Sequence, residues 1–297
     1  MIIAFSIVNH AVPYNDTITN CSVYNNSQYG INLWYSSNNN VTDCDVYNNS
    51  WCGIYLLCSS NNNITSNTFT NDGIIIRGDN LKHYTQNIET TNLVNSKPVY
   101  YFLNQNNLNI DNEDVGGLIL VNCSNFIIKN VDISHTDIGI ELAFSTNISI
   151  TNCAVYGNSE SGILLDFSSN NTIEICSVYN NSDYGLRLSS FSNKTIITNC
   201  DVYNNDVGIL LDDSSNNNLT NCNVYNNSHD GIYLYYSLNS EIHYCNIYNN
   251  TNHGIYNIAY QVNATYNWWG SVNGLTKAPV QDHLICCNLE FCYKRNS

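Results

Sequence analysis

Glycine returns every 23 residues along this chain. Gly139, Gly162, Gly185, Gly208, Gly231 and Gly254 keep that interval, Gly30 and Gly53 share it, and Gly117 precedes Gly139 by 22. Gly73 lies 44 before Gly117, which leaves room for one rung without a glycine. A fixed period in the twenties constrains a chain to a solenoid, because each unit is too small to bury a core alone and must stack on its neighbours. Each period contains Cys-x-Val-Tyr, at Cys21, Cys44, Cys153, Cys176, Cys200 and Cys222, with Ile for Val after Cys245. It also contains Gly-Ile-x-Leu, at Gly30, Gly53, Gly162, Gly208 and Gly231, with Leu186 replacing Ile after Gly185. A third, weaker apolar stretch precedes the cysteine, as in Asn147–Ile150. Alternating apolar residues predict short strands with one buried face, and the Asn-Asn and Ser-Ser-Asn clusters between them are turn chemistry. Three strands and three turns leave no room for a helix of useful length. The spacing therefore predicts an all-β fold, a parallel β-helix of roughly eleven rungs stacked about 4.8 Å apart.

In such a coil each position stacks on its counterpart in the next rung. Val and Ile form interior ladders, Asn-Asn ladders its amides at a corner, and Gly turns where a side chain would clash. The expected shape is one rod whose rungs touch only their neighbours, spanning residues 1–270. A longer irregular rung is expected near 79–116, and residues 271–297 form a C-terminal cap or tail. NWWG, Asn267 to Gly270, stops the repeat, as a lid over the last rung would.

The rungs, the segment NSKPVYYFLNQNN…VGGLILVNCSNFIIKNVDIS and the closing YNWWG together resemble the right-handed parallel β-helix repeat proteins of the NosD type, many of them archaeal or bacterial cell-surface proteins. The resemblance covers nearly the whole chain, and the middle segment is its most specific part. It implies right-handed coiling and an exported protein. It also implies either a surface role or, as in the named members, help in maturing copper enzymes; related β-helix families are polysaccharide lyases and hydrolases.

Charge narrows the partners. The chain carries 9 Lys+Arg against 24 Asp+Glu, a formal net charge of −15. Such a surface repels phosphate backbones and excludes nucleic acid as a natural partner. Cations, polysaccharides and other surface proteins suit it better. No apolar run reaches the roughly 18 residues of a membrane span. The opening MIIAFSIV lacks a basic flank and a small-residue cleavage site, so it reads as a strand from a preceding rung of an incomplete array rather than as a signal peptide. The expected location is extracellular or cell-surface, with the periplasm as the alternative. Sequons at Asn15, Asn25, Asn40, Asn63, Asn147, Asn193, Asn218 and Asn263 permit glycosylation there.

Four sets of residues are candidates for chemistry. Thirteen cysteines cannot all pair within one chain. The seven of the Cys-x-Val/Ile-Tyr column (Cys21, Cys44, Cys153, Cys176, Cys200, Cys222, Cys245) read as a ladder of small buried side chains. Cys286, Cys287 and Cys292 lie outside that ladder, where they are candidates for disulfides or a soft metal. The seven His show no paired ligand spacing, and His229, His243 and His253 fall at different offsets in their rungs, so stacking is not expected to bring them together. The outward positions of the Gly-Ile-x-Leu strand place Asp166, Arg187, Asp212 and Asp213 on one face. Carboxylates with a basic residue are what a lyase needs to hold a Ca²⁺-bound uronate and remove its proton, or a hydrolase needs as acid and base. Ordinary cross-strand ion pairing explains the same residues. Trp34, Tyr35, Tyr233, Tyr235 and Tyr236 on the same face suit stacking on sugar rings. The Gly-His-Gly and Arg-x-Lys motifs of the hydrolases of this fold are missing.

The residues favour a non-catalytic exported module, structural or adhesive, that binds carbohydrate or a surface protein without a cofactor. A lyase or hydrolase acting on an acidic polysaccharide at Asp166, Arg187, Asp212 and Asp213, with Ca²⁺ as its ion, is the alternative. A copper-handling accessory protein is the second.

Overall fold

The computed structural model describes residues 2–3, 7–10, 15–258 and 262–270. Short strands dominate it, and the one helix among the described residues is the single turn Leu81–Tyr84. Each Gly-Ile-x-Leu segment is a strand such as Ser161–Asp166, each Cys-x-Val-Tyr ends in one such as Ser177–Tyr179, and the third strand is one such as Thr172–Glu174. Equivalent strands pair in parallel with the same residue types in register, Val155 on Val178 on Val202 on Val224. The predicted parallel β-helix, with about 23 residues per turn and about eleven turns, is what the chain forms.

Corners repeat as the sequence implies. Asn180, Asn204 and Asn226 take left-handed backbone with φ near 55°, which their short amides tolerate. The Asn after each of them turns inward. Asn205 Oδ1 accepts from the backbone N–H and the Nδ2 of Asn181, while Asn205 itself donates to Asn227 Oδ1. Gly185 faces the backbone oxygen of Gly208, and a Cβ there would sit 2.6 Å from it. The cysteine ladder is buried from Cys44 onward, with Cys21 half-buried, and its thiols donate to carbonyls two residues earlier at 3.3 Å. Outside, Tyr156, Tyr179, Tyr203, Tyr225 and Tyr248 stack ring on ring at 4.7 to 5.0 Å. Trp269 packs on the last rungs of the core and Trp268 meets Tyr248 edge-on, so NWWG covers the end of the described coil.

The expectation of one rod with neighbour-only contacts fails at the irregular segment. Strand Leu93–Val94 closes the first coil, residues Asn95 and Ser96 take φ of 49° and 69°, and strand Lys97–Leu103 returns antiparallel, Val94 opposite Lys97. Two central residues with positive φ make a tight hairpin turn. The reversal starts a second coil in the opposite strand sense. Its glycine strands continue the sheet built by the cysteine strands of the first coil, in a single sheet of 13 strands. The outward face of the second coil then closes the end of the first, where Ile119, Val121 and Ala143 share a core with Ile74, Ile76, Tyr84 and Ile88. Rungs separated by 64 to 108 residues touch as a result.

Candidate functional site

The glycine strands of both coils present their outward faces to each other at a corner. Cys52 and Ile75 of the first coil meet Ile138 and Leu164 of the second, with Tyr29 and Tyr55 packed beside them. Polar groups ring this apolar patch. Asp137 Oδ2 accepts from the backbone N–H groups of Gly53 and Gly73, at 3.0 and 2.8 Å, and its Oδ1 accepts from Ser159. Burial, with Asp72 nearby, pushes the Asp137 carboxyl far above its usual range.

Arg77 forms the centre of the corner. Its Nη2 makes a bidentate contact with Glu160, at 2.6 and 2.8 Å, and its Nη1 lies 3.7 Å from Glu141. Burial works against its charge, but Glu160 and Glu141 more than compensate and raise its pKa. Glu141 is fully buried with neither carboxylate oxygen hydrogen-bonded, and burial pushes it to about 8 despite the guanidinium. Glu160 also forms an ion pair with Arg187, at 3.5 Å, and Arg187 reaches Asp212 at 3.9 Å. Tyr84, from the single helical turn, donates to Asp166 Oδ2. The corner is thus a chain of ion pairs, tightest where the two coils touch.

The four acid–base candidates therefore divide. Arg187 and Asp212 are adjacent and partly open, with side chains 27% and 31% exposed. Asp166 lies on the same sheet face, as its position implies, but the first coil covers it, and it bonds Tyr84 and Ser189. Asp213 sits one residue past the strand at φ 47°, exposed in the turn. Burial raises the Asp212 carboxyl against the pull of Arg187. The aromatic candidates divide as well. Tyr233 lies on the same strand face as Arg187, packs 5.0 Å from Tyr256 on the next rung, and has Tyr235 edge-on to it and to Tyr236. Trp34 and Tyr35 lie on the first coil, both exposed, with their rings 5.9 Å apart.

Sequence reasoning missed several residues. Tyr184 lies under Arg187, whose Cζ is 5.2 Å from the ring centre. Tyr29, Trp51 and Tyr55 cluster on the first coil at 4.7 to 5.7 Å. Their outward columns are visible in the repeat; the reversal that makes two columns face each other is not. One expectation is corrected. His229 and His253 do come together, through Asp230: its Oδ2 bonds His229 Nδ1 at 2.8 Å and its Oδ1 bonds His253 Nδ1 at 2.7 Å. Asp230 precedes Gly231 by one residue and His253 precedes Gly254 by one, so they share a column, and His229 is simply the chain neighbour of Asp230. Among the described residues, no group of three or more His, Cys, Asp or Glu is placed to hold a metal ion. Cys286, Cys287 and Cys292 lie outside the described residues.

A parallel coil with a polar and aromatic face defines a class of solenoid protein. The model of the right-handed β-helix region matches residues 9–115 and 116–267, and this chain belongs to that family. No curated protein matches the chain. Among solved structures, the A-module of the mannuronan C-5 epimerase AlgE4 from Azotobacter vinelandii is 15% identical with a TM-score of 0.45, over 84% of this chain and 68% of that one. The periplasmic alginate epimerase AlgG is 14% identical at 0.40, over 91% and 69%. Pectate lyase Pel9A is 14% identical at 0.36, over 96% and 68%. Likeness this distant carries nothing about substrate or reaction. Among the described residues, no helix is long and apolar enough to cross a membrane.

Proposed function

We propose that this protein binds a polysaccharide chain along the outward face of the second coil, from the corner at Arg187 and Asp212 to Tyr256, at or beyond the cell surface. The carrying observation is the gradient of that face. Glu141 and Leu164 are buried at the corner, Arg187 and Asp212 are part open, and Tyr235 and Tyr236 are 38% and 46% exposed. A flat sheet that offers carboxylate, guanidinium and phenol groups, then a patch of tyrosine rings, suits a sugar polymer, whose rings have one apolar face and hydroxyl edges. Retention on immobilised polysaccharides tests it. Tyr233→Ala should lower retention at least fivefold with unchanged melting, and undiminished retention by that variant would remove the face from consideration.

Catalysis is the second reading, favoured by one observation: the Asp212 carboxyl is half-buried, raised, and beside Arg187. A carboxyl that holds its proton more tightly than usual is suited to general acid work. Its signature would be new reducing ends or unsaturated sugars that vanish in Asp212→Asn.

A further inference from the structure

The residues two before Gly139, Gly162, Gly185, Gly208 and Gly231 form a column: Asp137, Glu160, Asp183, Asp206 and His229. They stack through backbone bonds, Glu160 N–H to Asp137 O and Asp183 N–H to Glu160 O at 3.0 Å, then His229 N–H to Asp206 O at 2.9 Å. The first two members are consumed at the corner. Asp183 and Asp206 lead away from it, with Tyr184 next to Asp183, and among the described residues no basic side chain forms an ion pair with either one. Among the described residues, each cation of this face already has an acidic partner. Arg77 is held by Glu160 and Glu141, Arg187 by Glu160 and Asp212, and the two imidazoles by Asp230. Burial and the neighbouring Glu160 and Asp206 raise the Asp183 carboxyl against the weaker pull of Arg187, as expected where stacked carboxylates repel one another.

The geometry points to a polysaccharide that carries amines, a polymer of amino sugars at least partly deacetylated, as the ligand of this face. Tyrosine rings take the apolar sides of the sugars, while ammonium groups meet Asp183 and Asp206 on neighbouring rungs of the same sheet. A polyuronate has the opposite sign: its carboxylates would approach a column of carboxylates where, among the described residues, each guanidinium already faces a carboxylate. Charge complementarity selects the occupant, and the inference rests on the carbohydrate-binding reading above.

Retention of the full chain on chitosans of graded acetylation, on fully acetylated chitin, on a neutral β-glucan and on polygalacturonate separates the outcomes. Tighter binding as amine content rises, weakened by salt, is expected. Asp183→Asn/Asp206→Asn should lower affinity for the amine-rich polymer about fivefold and leave affinity for the neutral glucan unchanged, with melting as the check on folding. Equal affinity for acetylated and deacetylated chains would overturn the amine assignment while leaving carbohydrate binding intact. Preference for polygalacturonate would overturn it in the other direction. No retention on any polymer would remove both readings.

Discussion

Replacing Arg77 by Met removes the one guanidinium that two acidic side chains of the second coil share across the corner, and keeps most of its aliphatic bulk. Glu160, with a side chain 5% exposed, loses a bidentate partner at 2.6 and 2.8 Å, and Glu141 loses its only nearby positive group. Glu141, held near 8, is mostly protonated at pH 7, so the lost compensation falls on Glu160, which keeps only the longer contact to Arg187 at 3.5 Å. Breaking one side of a buried pair costs about 3–5 kcal/mol. For a chain of this size each kcal/mol lowers Tm by about 2–4 °C, so the variant should melt roughly 6–20 °C lower. Scanning calorimetry at pH 7 measures it, with the calorimetric-to-van't Hoff enthalpy ratio checking that one transition is observed. The double variant Arg77→Met/Glu160→Gln removes the stranded charge and should recover at least half the loss. A single variant that melts within 2 °C of the parent, or a double variant no better than the single, would refute the account of the corner as a paired charge that holds the coils together.

Other outcomes follow from the same contacts. Asp72 ends an amide ladder, accepting from the backbone and side chain of Asn49 as Asn49 does from Asn26, and burial pushes it from 3.8 to about 7. The unfolded chain releases that proton near 3.8 and the folded one near 7, so stability is full below about pH 4 and declines as pH rises to about 7; Glu141 extends the decline to about 8. Asp72→Asn, which continues the ladder, should raise Tm at pH 8 and change it little at pH 4.5, and an equal effect at both would contradict the titration. Asn205→Ala strands the N–H groups of Asn181 that its Oδ1 accepts and should cost about 2–4 kcal/mol in urea unfolding. Gly185→Ala drives a Cβ to 2.6 Å from Gly208 O and should be at least as damaging. Alkylation followed by mass mapping should modify half-buried Cys21 and Cys58 in the native protein, and Cys153, Cys176, Cys200, Cys222 and Cys245 only after unfolding. Rapid native labelling of the ladder would reopen a thiol-based, copper-handling role.

The sequence by itself determined the rung. A 23-residue period with two alternating strands fixes inward Val and Ile, outward Tyr, the Asn corner and the stacking of like on like, because each of these depends only on neighbours one repeat away. It even contained the pairing of His253 with Asp230, visible once positions are counted from the glycine rather than along the chain. The corner was different. Asn95-Ser96 has the Asn of a tight Asn-Gly hairpin but Ser in place of its glycine, in a chain where Asn-Ser recurs at ordinary corners, yet both residues take positive φ there and reverse the coil. That one turn sets Arg77 against Glu160, 83 residues away, buries Asp166 under Tyr84, and leaves Arg187 and Asp212 at the edge of the covered zone. Periodicity describes what repeats; the site lies where the repeat is broken and two copies of the same face meet. Contacts of that kind are set by the relative placement of whole coils, which a one-dimensional pattern does not encode and which only the tertiary structure decided.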